Sequence, residues 1–319
     1  SRGLGDVYKR QIYGYNRNTN PELTKIKGLT AFSHVLTESN TTHKSVPMLM
    51  SSVTAHDFNS IYRQKGIITA FKEAGYRTAF FSNQRYNHSF IDFFGKEADI
   101  CDFIKEDTGD GSYNPSDDEL LKLVAAELAE NASKQFIVLH TYGSHFNYRE
   151  RYPADNAFFL PDFPVDAELK YKDNLINAYD NSIRYTDNFL ARLIRMLQEQ
   201  DIDAAMLYTS DHGEDIFDDD RHLFLHASPV PSYYQIHVPF LVWMSDNYRK
   251  NYPDFLKNAE INRQKNISSS ASFFQTMLEL GGIDTPSRND SLSVINASYL
   301  SLIHISEPTR RTYISYAVF

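Results

Sequence analysis

Asp211 and His212 are adjacent, set between a short apolar run, 204–208, and a glycine, within Leu-Tyr-Thr-Ser-Asp-His-Gly-Glu-Asp (207–215). The run has strand character, so the pair falls at a strand's carboxyl end, where ligands gather in open α/β sheets. One carboxylate oxygen and one imidazole nitrogen make a natural half-site for zinc, and Gly213 permits a sharp turn beyond them. The competing reading of this dipeptide is a strand-ending loop with a capping Asp and a surface His.

A second polar group, Glu38-Ser-Asn-Thr-Thr-His-Lys-Ser-Val-Pro-Met, places hydroxyls where a helix begins. Such an end offers unsatisfied N–H groups and a positive dipole, which suit a phosphate. A threonine there also serves as a plain helix cap. An unassisted threonine hydroxyl is a poor nucleophile, but coordination to zinc lowers its pKa enough for it to attack phosphorus. Asp211 and His212 would supply that zinc.

These residues need a scaffold, and strand and helix signals alternate along the chain. Residues 77–82, 135–140, 204–208 and 238–243 are short runs rich in β-branched and aromatic residues. Helical spacing occupies 120–132, the long stretch 167–200 through Ile183, Phe189, Leu193 and Leu197, and 268–280, which Gly281-Gly282 ends. Strands separated by such helices predict an α/β fold, a three-layer α/β/α arrangement around a mainly parallel central sheet. Residues 107–118 and 147–165 read as loops, the second long enough for a rim or lid.

The chain has 319 residues, 42% of them hydrophobic, and a net charge of -9, enough for one large domain with a sizeable core. Acids outnumber Lys and Arg, which form no stripe, so nucleic acid is excluded as a partner. No window approaches the ~18 continuous apolar residues of a membrane span, and no signal peptide is visible. Cys101 is the single cysteine and excludes an intrachain disulfide. The opening 1–11 and the closing 302–319 resemble translated sequencing-adapter read-through. Residues 12–301 are therefore expected to be the native catalytic segment, incomplete at its start, with both ends non-native.

Taken in order, the motifs resemble the phosphoethanolamine transferases of bacterial envelopes, in the alkaline phosphatase/sulfatase superfamily. Tyr13-Gly-Tyr-Asn-Arg-Asn-Thr-Asn-Pro-Glu-Leu is similar to the stretch that follows that family's first metal motif. Thr42, five residues before Pro47, falls where the family has its nucleophilic threonine. Val138-Leu-His-Thr-Tyr-Gly-Ser-His145 resembles the segment ending in a substrate-pocket histidine, and 179–187 resembles the long-helix signature. Ser210-Asp-His-Gly-Glu214 is similar to the second metal motif, and Leu225-His-Ala-Ser-Pro229 stands where the family usually has His-Gly-x-Pro.

The resemblance implies zinc held by Asp211, His212 and Thr42 together with an upstream carboxylate, which the opening segment replaces; Asp6 is not assigned that role. It implies that Thr42 takes phosphoethanolamine from phosphatidylethanolamine and passes it to an envelope glycolipid, lipid A or lipopolysaccharide core. His145 and His226 would steady the charge on phosphorus, and Asn83, just after a strand, would hold the donor or else form a turn. Glu214 and Asp215 would tune the metal site or cap a helix, and Asp180 and Asp187 would cap or pair on the long helix. It also implies the periplasmic face of the inner membrane, with an N-terminal anchor absent from this fragment.

Three departures stand out. Glu38 and Met48 occupy positions where many relatives carry disulfides, Phe146-Asn147 replaces the usual Gly-Pro after His145, and the first metal motif is missing. A sulfatase would need a Cys or Ser in a Cys/Ser-x-Pro-x-Arg setting, and Cys101 lies in Ile-Cys-Asp-Phe. The main alternatives are a phosphoglycerol transferase of the teichoic-acid type, another phosphodiesterase of the superfamily, and a non-enzymatic binding module.

Overall fold

The computed structural model describes residues 9–105, 114–163 and 166–301. The expected read-through segments lie outside these residues except for 9–11, as do most of the 107–118 loop and, from the 147–165 loop, Pro164 and Val165. Lys9 and Arg10 are buried, and the Arg10 guanidinium donates to Tyr208 Oη at 3.2 Å.

The strands are β1 (Leu29–Ala31), β2 (His34–Leu36), β3 (Arg77–Ser82), β4 (Ile100–Phe103), β5 (Gln135–His140), β6 (Ala205–Thr209), β7 (Asp215–Ile216), β8 (Phe224–Leu225), β9 (Phe240–Met244) and β10 (Asn266–Ser268). The helices are α1 (Thr42–Leu49), α2 (Ile67–Glu73), α3 (Phe90–Gly95), α4 (Asp118–Ala129), α5 (Lys172–Glu199), α6 (Tyr233–Ile236), α7 (Asp246–Asn251), α8 (Pro253–Asn262) and α9 (Ser269–Leu280). β3 lies between β4 and β5 and runs parallel to both, with Phe80 opposite Cys101 and Val138. β10 pairs with β2 in parallel.

β9 lies between β1 and β6 and is antiparallel to both. The chain returns from β6 to β9 through the small β7–β8 hairpin and one short helix, without the long crossover that a parallel neighbour requires. The expected α/β layering holds, with this antiparallel strand inside it.

The layers follow from side-chain alternation. Ala79 and Phe81 of β3 pack with Leu120, Leu121 and Val124 of α4 and Phe189 to Ile194 of α5. Phe80, between them, points into the opposite cluster with Ile67, Ile68 and Phe71 of α2 and Phe274 and Leu278 of α9. β9 divides the same way, Leu241 and Trp243 to one side and Phe240, Val242 and Met244 to the other. A strand covered on both faces has no polar side, which is why 79–81 and 240–244 are continuous apolar runs.

Helix α5 is amphipathic in an unusual sense, because its buried face carries acids. Asp187 accepts backbone N–H bonds from Glu22 and Leu23 at 2.9 and 3.0 Å and lies near Asn20 Nδ2 at 3.3 Å. Asp180 pairs with Arg17 at 2.8 Å and accepts from Tyr15 Oη at 3.0 Å. Burial pushes the Asp180 carboxyl up to about 6 against the pull of Lys9 and Arg17. These two acids fasten the segment 13–23 across the helix. The loop after His145 is fastened as well: Asn181 Oδ1 accepts from Phe158 N and Phe159 N at 2.9 and 2.8 Å, and Tyr148 and Tyr152 are buried. The loop expected as a rim is thus anchored by Tyr148, Tyr152 and Asn181, while Phe158, Leu160 and Phe163 in it are exposed. Among the described residues, no helix is long and apolar enough to cross a membrane.

His237, between α6 and β9, is buried with Nε2 2.9 Å from the Ser33 carbonyl, and burial depresses its pKa to about 4. A histidine held neutral in the fold protonates first in the unfolded chain. Its contribution is therefore whole above the unfolded value near 6.5 and is lost as pH falls toward 4. Urea melts across that window should show the wild type losing roughly 1.4 kcal/mol more per pH unit than His237→Gln. Parallel slopes in the two proteins would contradict this.

Candidate active site

β6 ends at Thr209, and Asp211 and His212 follow at its carboxyl end, as the strand signal required. The turn is built by close approach. A Cβ on Gly213 would lie 2.1 Å from the Tyr234 carbonyl oxygen, and Gly213 N donates to Gln235 O at 2.9 Å. Any other residue at 213 pushes the pair away from α6.

Helix α1 comes to this turn from the other side. Ser45 Oγ, on its first turn, donates to the Asp211 carbonyl at 2.5 Å and lies 2.8 Å from Thr37 Oγ1. With the helix pinned there, Thr42 Oγ1 stands 3.1 Å from His212 Nε2. Where relatives have a disulfide, Glu38 bridges Ala55 N at 2.7 Å and Ser268 Oγ at 2.8 Å, and Met48 is buried in the core.

The donor chemistry suits zinc. His212 Nδ1 contacts the Gly213 carbonyl at 3.0 Å; a carbonyl only accepts, so Nδ1 carries the proton and Nε2 keeps its lone pair. Asp211 Oδ2 lies 3.4 Å from the same Nε2. Ligands of a tetrahedral zinc stand roughly 3.3–3.5 Å apart, so the 3.1 and 3.4 Å spacings match a shared ion. Burial works to raise the Asp211 carboxyl, but His212, the Thr42 hydroxyl and His140 together outweigh it, and Asp211 lies below the usual carboxylate range. It is the anion a metal wants.

A second set overlaps the first. Donor atoms of His212, Glu214 and His226 all lie within 4.8 Å of one another. Both Glu214 oxygens are engaged, however: Oε1 accepts from His226 Nδ1 at 2.9 Å and Oε2 from Tyr148 Oη at 3.1 Å. Glu214 thereby orients His226 and, through that hydrogen bond, raises its pKa against the effect of burial. The His226 ring lies against His212 at 4.0 Å between centroids, tilted by 33°, and His145 lies 5.9 Å beyond His226. Leu225 and Ala227, flanking His226, have φ of 65° and 64°. That conformation costs a non-glycine residue about 1–2 kcal/mol, and Ala227 stands where the resembling family has glycine.

Thr42, His145, Asp211 and His212 line one cavity of about 110 Å³. His145 is exposed at its mouth, its Nδ1 2.6 Å from the Phe146 carbonyl. Asn83, expected to hold the donor, is absent from that lining. It is buried, and its amide donates to the Pro115 carbonyl at 3.0 Å and to Asp117 Oδ1 at 2.7 Å, so its donors are spent on the scaffold. Asp117 in turn accepts from Tyr142 N and Gly143 N at 2.8 and 2.9 Å, which shapes the cavity wall. His222 is exposed, away from the constellation.

His140 is a lining residue not singled out from the sequence. It ends β5, its Nδ1 lies 3.0 Å from Ser82 Oγ, and burial lowers its pKa. Its signal was its place at the carboxyl end of an apolar strand, the criterion that picked out Asp211.

An α/β fold with an Asp-His turn at a strand's carboxyl end and a threonine hydroxyl on a facing helix suits a class of hydrolases and transferases. The sulfatase family profile matches residues 4–283, and the chain belongs to that family. The match begins inside the segment expected to be read-through. Among curated relatives, the Kdo(2)-lipid A phosphoethanolamine 7''-transferase of Escherichia coli K12 is 32% identical over 269 residues, 80% of this chain and 45% of that protein. Phosphoethanolamine transferase EptC of Escherichia coli O18:K1:H7 is 25% identical over 303 residues, 91% of this chain and 51% of that protein. The chain thus spans about half the length of these relatives. Among solved structures, the C-terminal periplasmic domain of Escherichia coli EptC in complex with zinc superposes with a TM-score of 0.85 at 24% identity, covering 97% of this chain and 88% of that one. The soluble domain of the Neisseria meningitidis lipooligosaccharide phosphoethanolamine transferase A gives 0.81 at 23%, covering 92% and 89%.

If Asp211 and His212 hold the metal, Asp211→Ala or His212→Ala should each lower zinc affinity at least ~10-fold with the fold retained. Competition titration against a chromophoric chelator, with circular dichroism as control, measures both. Unchanged affinity in either variant would move the metal elsewhere.

Proposed function

We propose that this chain is the catalytic domain of a zinc-dependent phosphoethanolamine transferase, working at the periplasmic face of a bacterial inner membrane. Thr42 is the nucleophile. The donor is phosphatidylethanolamine, and the acceptor is an envelope glycolipid, lipid A or lipopolysaccharide core. The observation that carries the reading is the Thr42 hydroxyl 3.1 Å from the lone-pair nitrogen of His212, with Asp211 beside it. The names of the relatives support the transferred group and, for one of them, a lipid A acceptor. A relative solved as an integral membrane protein supports the location, with attachment through a segment other than those described.

Asp211, His212 and Thr42 would hold the metal. Bound there, zinc lowers the pKa of the threonine hydroxyl and screens the negative charge of an incoming phosphodiester. The chain's own residues do the rest. Helix α1 presents Thr42 Oγ1 to phosphorus, and the Ser45–Asp211 bond keeps that presentation fixed. The Oγ–P bond forms as the P–O bond to diacylglycerol breaks, and the proton that leaves Thr42 is balanced by one taken up on the diacylglycerol oxygen. His226, oriented by Glu214, and His145 would face the charge that builds on the phosphoryl oxygens. In the second half-reaction an acceptor oxygen attacks phosphorus, the Oγ–P bond breaks, and Thr42 regains the proton that the acceptor loses.

Incubation with phosphatidylethanolamine followed by peptide mass spectrometry should place a phosphoethanolamine adduct on Thr42, and Thr42→Ala should abolish it along with diacylglycerol release. An adduct on another residue would overturn the nucleophile. Loading from phosphatidylglycerol in preference to phosphatidylethanolamine would favour the phosphoglycerol transferase instead.

A further inference from the structure

Two cations gather on Tyr142, a residue of the cavity wall, and nothing in the two half-reactions above uses them. Tyr142 lines the cavity, and two cations lie over its ring: Lys105 Nζ is 4.1 Å and the Arg151 guanidinium carbon 4.0 Å from the centroid. Arg151 is anchored, with Nε donating to Asn147 O at 3.2 Å, a guanidinium NH2 on Glu150 at 3.0 Å, and only 6% of its side chain exposed. Lys105 donates to Asn114 Oδ1 at 2.8 Å. Burial, then the charges of Arg151 and Arg85, lower the Lys105 pKa, as expected of cations held together. Glu150 pairs with Arg151 at 3.0 Å, and Asp117 accepts from Asn83 and two backbone N–H groups, so Lys105 has no ion-pair partner among the described residues. Ser144 Oγ, in the same turn and the same lining, is buried without a hydrogen-bond partner among the described residues.

We propose that Lys105, Arg151, Tyr142 and Ser144 form an anion subsite at the cavity mouth that takes a phosphate group of the acceptor, apart from the phosphorus that reacts at Thr42. Arg151 has Glu150, but Lys105, beside it on the ring, has no carboxylate partner among the described residues, and an anion would supply one. The ring orients both charges, and the serine hydroxyl adds a donor. The choice of acceptor over donor follows from charge. A phosphoethanolamine headgroup carries its own ammonium, which this cluster repels, whereas a sugar phosphate brings only negative charge. The assignment of the anion to the acceptor rests on the transfer reading; the binding of an anion does not.

Calorimetric titration of the full chain with glucosamine 1-phosphate, glucosamine and glycerophosphoethanolamine tests this without turnover, so it reads out whether or not Thr42 is the nucleophile. Glucosamine 1-phosphate should bind at least tenfold more tightly than glucosamine. Lys105→Gln should weaken it at least tenfold and Lys105→Arg less than threefold, while glycerophosphoethanolamine binding stays unchanged in both. Equal binding of the sugar phosphate by wild type and Lys105→Gln would overturn the subsite. A matching loss for glycerophosphoethanolamine would assign the cations to the donor and overturn the acceptor reading. Because Arg151 is nearly buried, Arg151→Lys serves as the second variant, and unchanged sugar-phosphate affinity there, in a protein with wild-type circular dichroism, would remove Arg151 from the site.

Discussion

The contact between Thr42 and His212 joins two residues 170 positions apart, and the site exists only while it holds. Neither partner is placed by its own element alone. His212 sits where it does because β6 is paired along β9, and because Gly213 lets the turn lie against the Tyr234 carbonyl. Thr42 sits where it does because Ser45 ties α1 to the Asp211 carbonyl and because Val46, Met48 and Met50 are packed into a core cluster with α2, α3 and α9. The hydrophobic layers thus do chemical work at a distance. They fix two backbones so that two short side chains meet within a few tenths of an ångström, the tolerance a metal site demands.

Charge is sorted around that contact. Asp211 and Glu214 lie on the His212 side, and each has its own partners: His212, Thr42 and His140 lower the Asp211 pKa, and Glu214 holds His226 in orientation. Lys105 and Arg151 gather on the Tyr142 side. The two signs thus lie on different sides of the site, carboxylates beside Thr42 and cations on Tyr142. The buried acids of α5 are the structural counterpart, since Asp180 and Asp187 face inward only because the 13–23 segment supplies Arg17, Tyr15 and backbone N–H groups. The resemblance to a metal-motif flank at Tyr13 corresponds, in this chain, to a strap across that helix.

Much of this was legible in the residues. The 77–82 and 135–140 runs formed strands with those bounds, and the Asp-His pair emerged at a strand end because an apolar run stopping abruptly at polar residues has few other meanings. The direction of β9 was not legible: its apolar run is the same whichever way its neighbours point, and only the short return path from β6 decides it. β2 and β10 are three residues each, too short to carry a period. The place of Asn83 was not legible for a different reason. A strand-ending Asn can serve a ligand or a turn, and its actual partner, Asp117, lies 34 residues on. Glu214 was read as a supporting group, yet the residue it supports, His226, is visible only once β7 and β8 pair.

The central claim is that one ion is shared by Thr42, Asp211 and His212. A crystal structure of the zinc-loaded chain, with anomalous differences collected at the zinc edge, tests it most directly. The account predicts a peak about 2.0–2.2 Å from Thr42 Oγ1, Asp211 Oδ2 and His212 Nε2 together. A peak bounded instead by His212, Glu214 and His226, with Thr42 outside its coordination sphere, would contradict it.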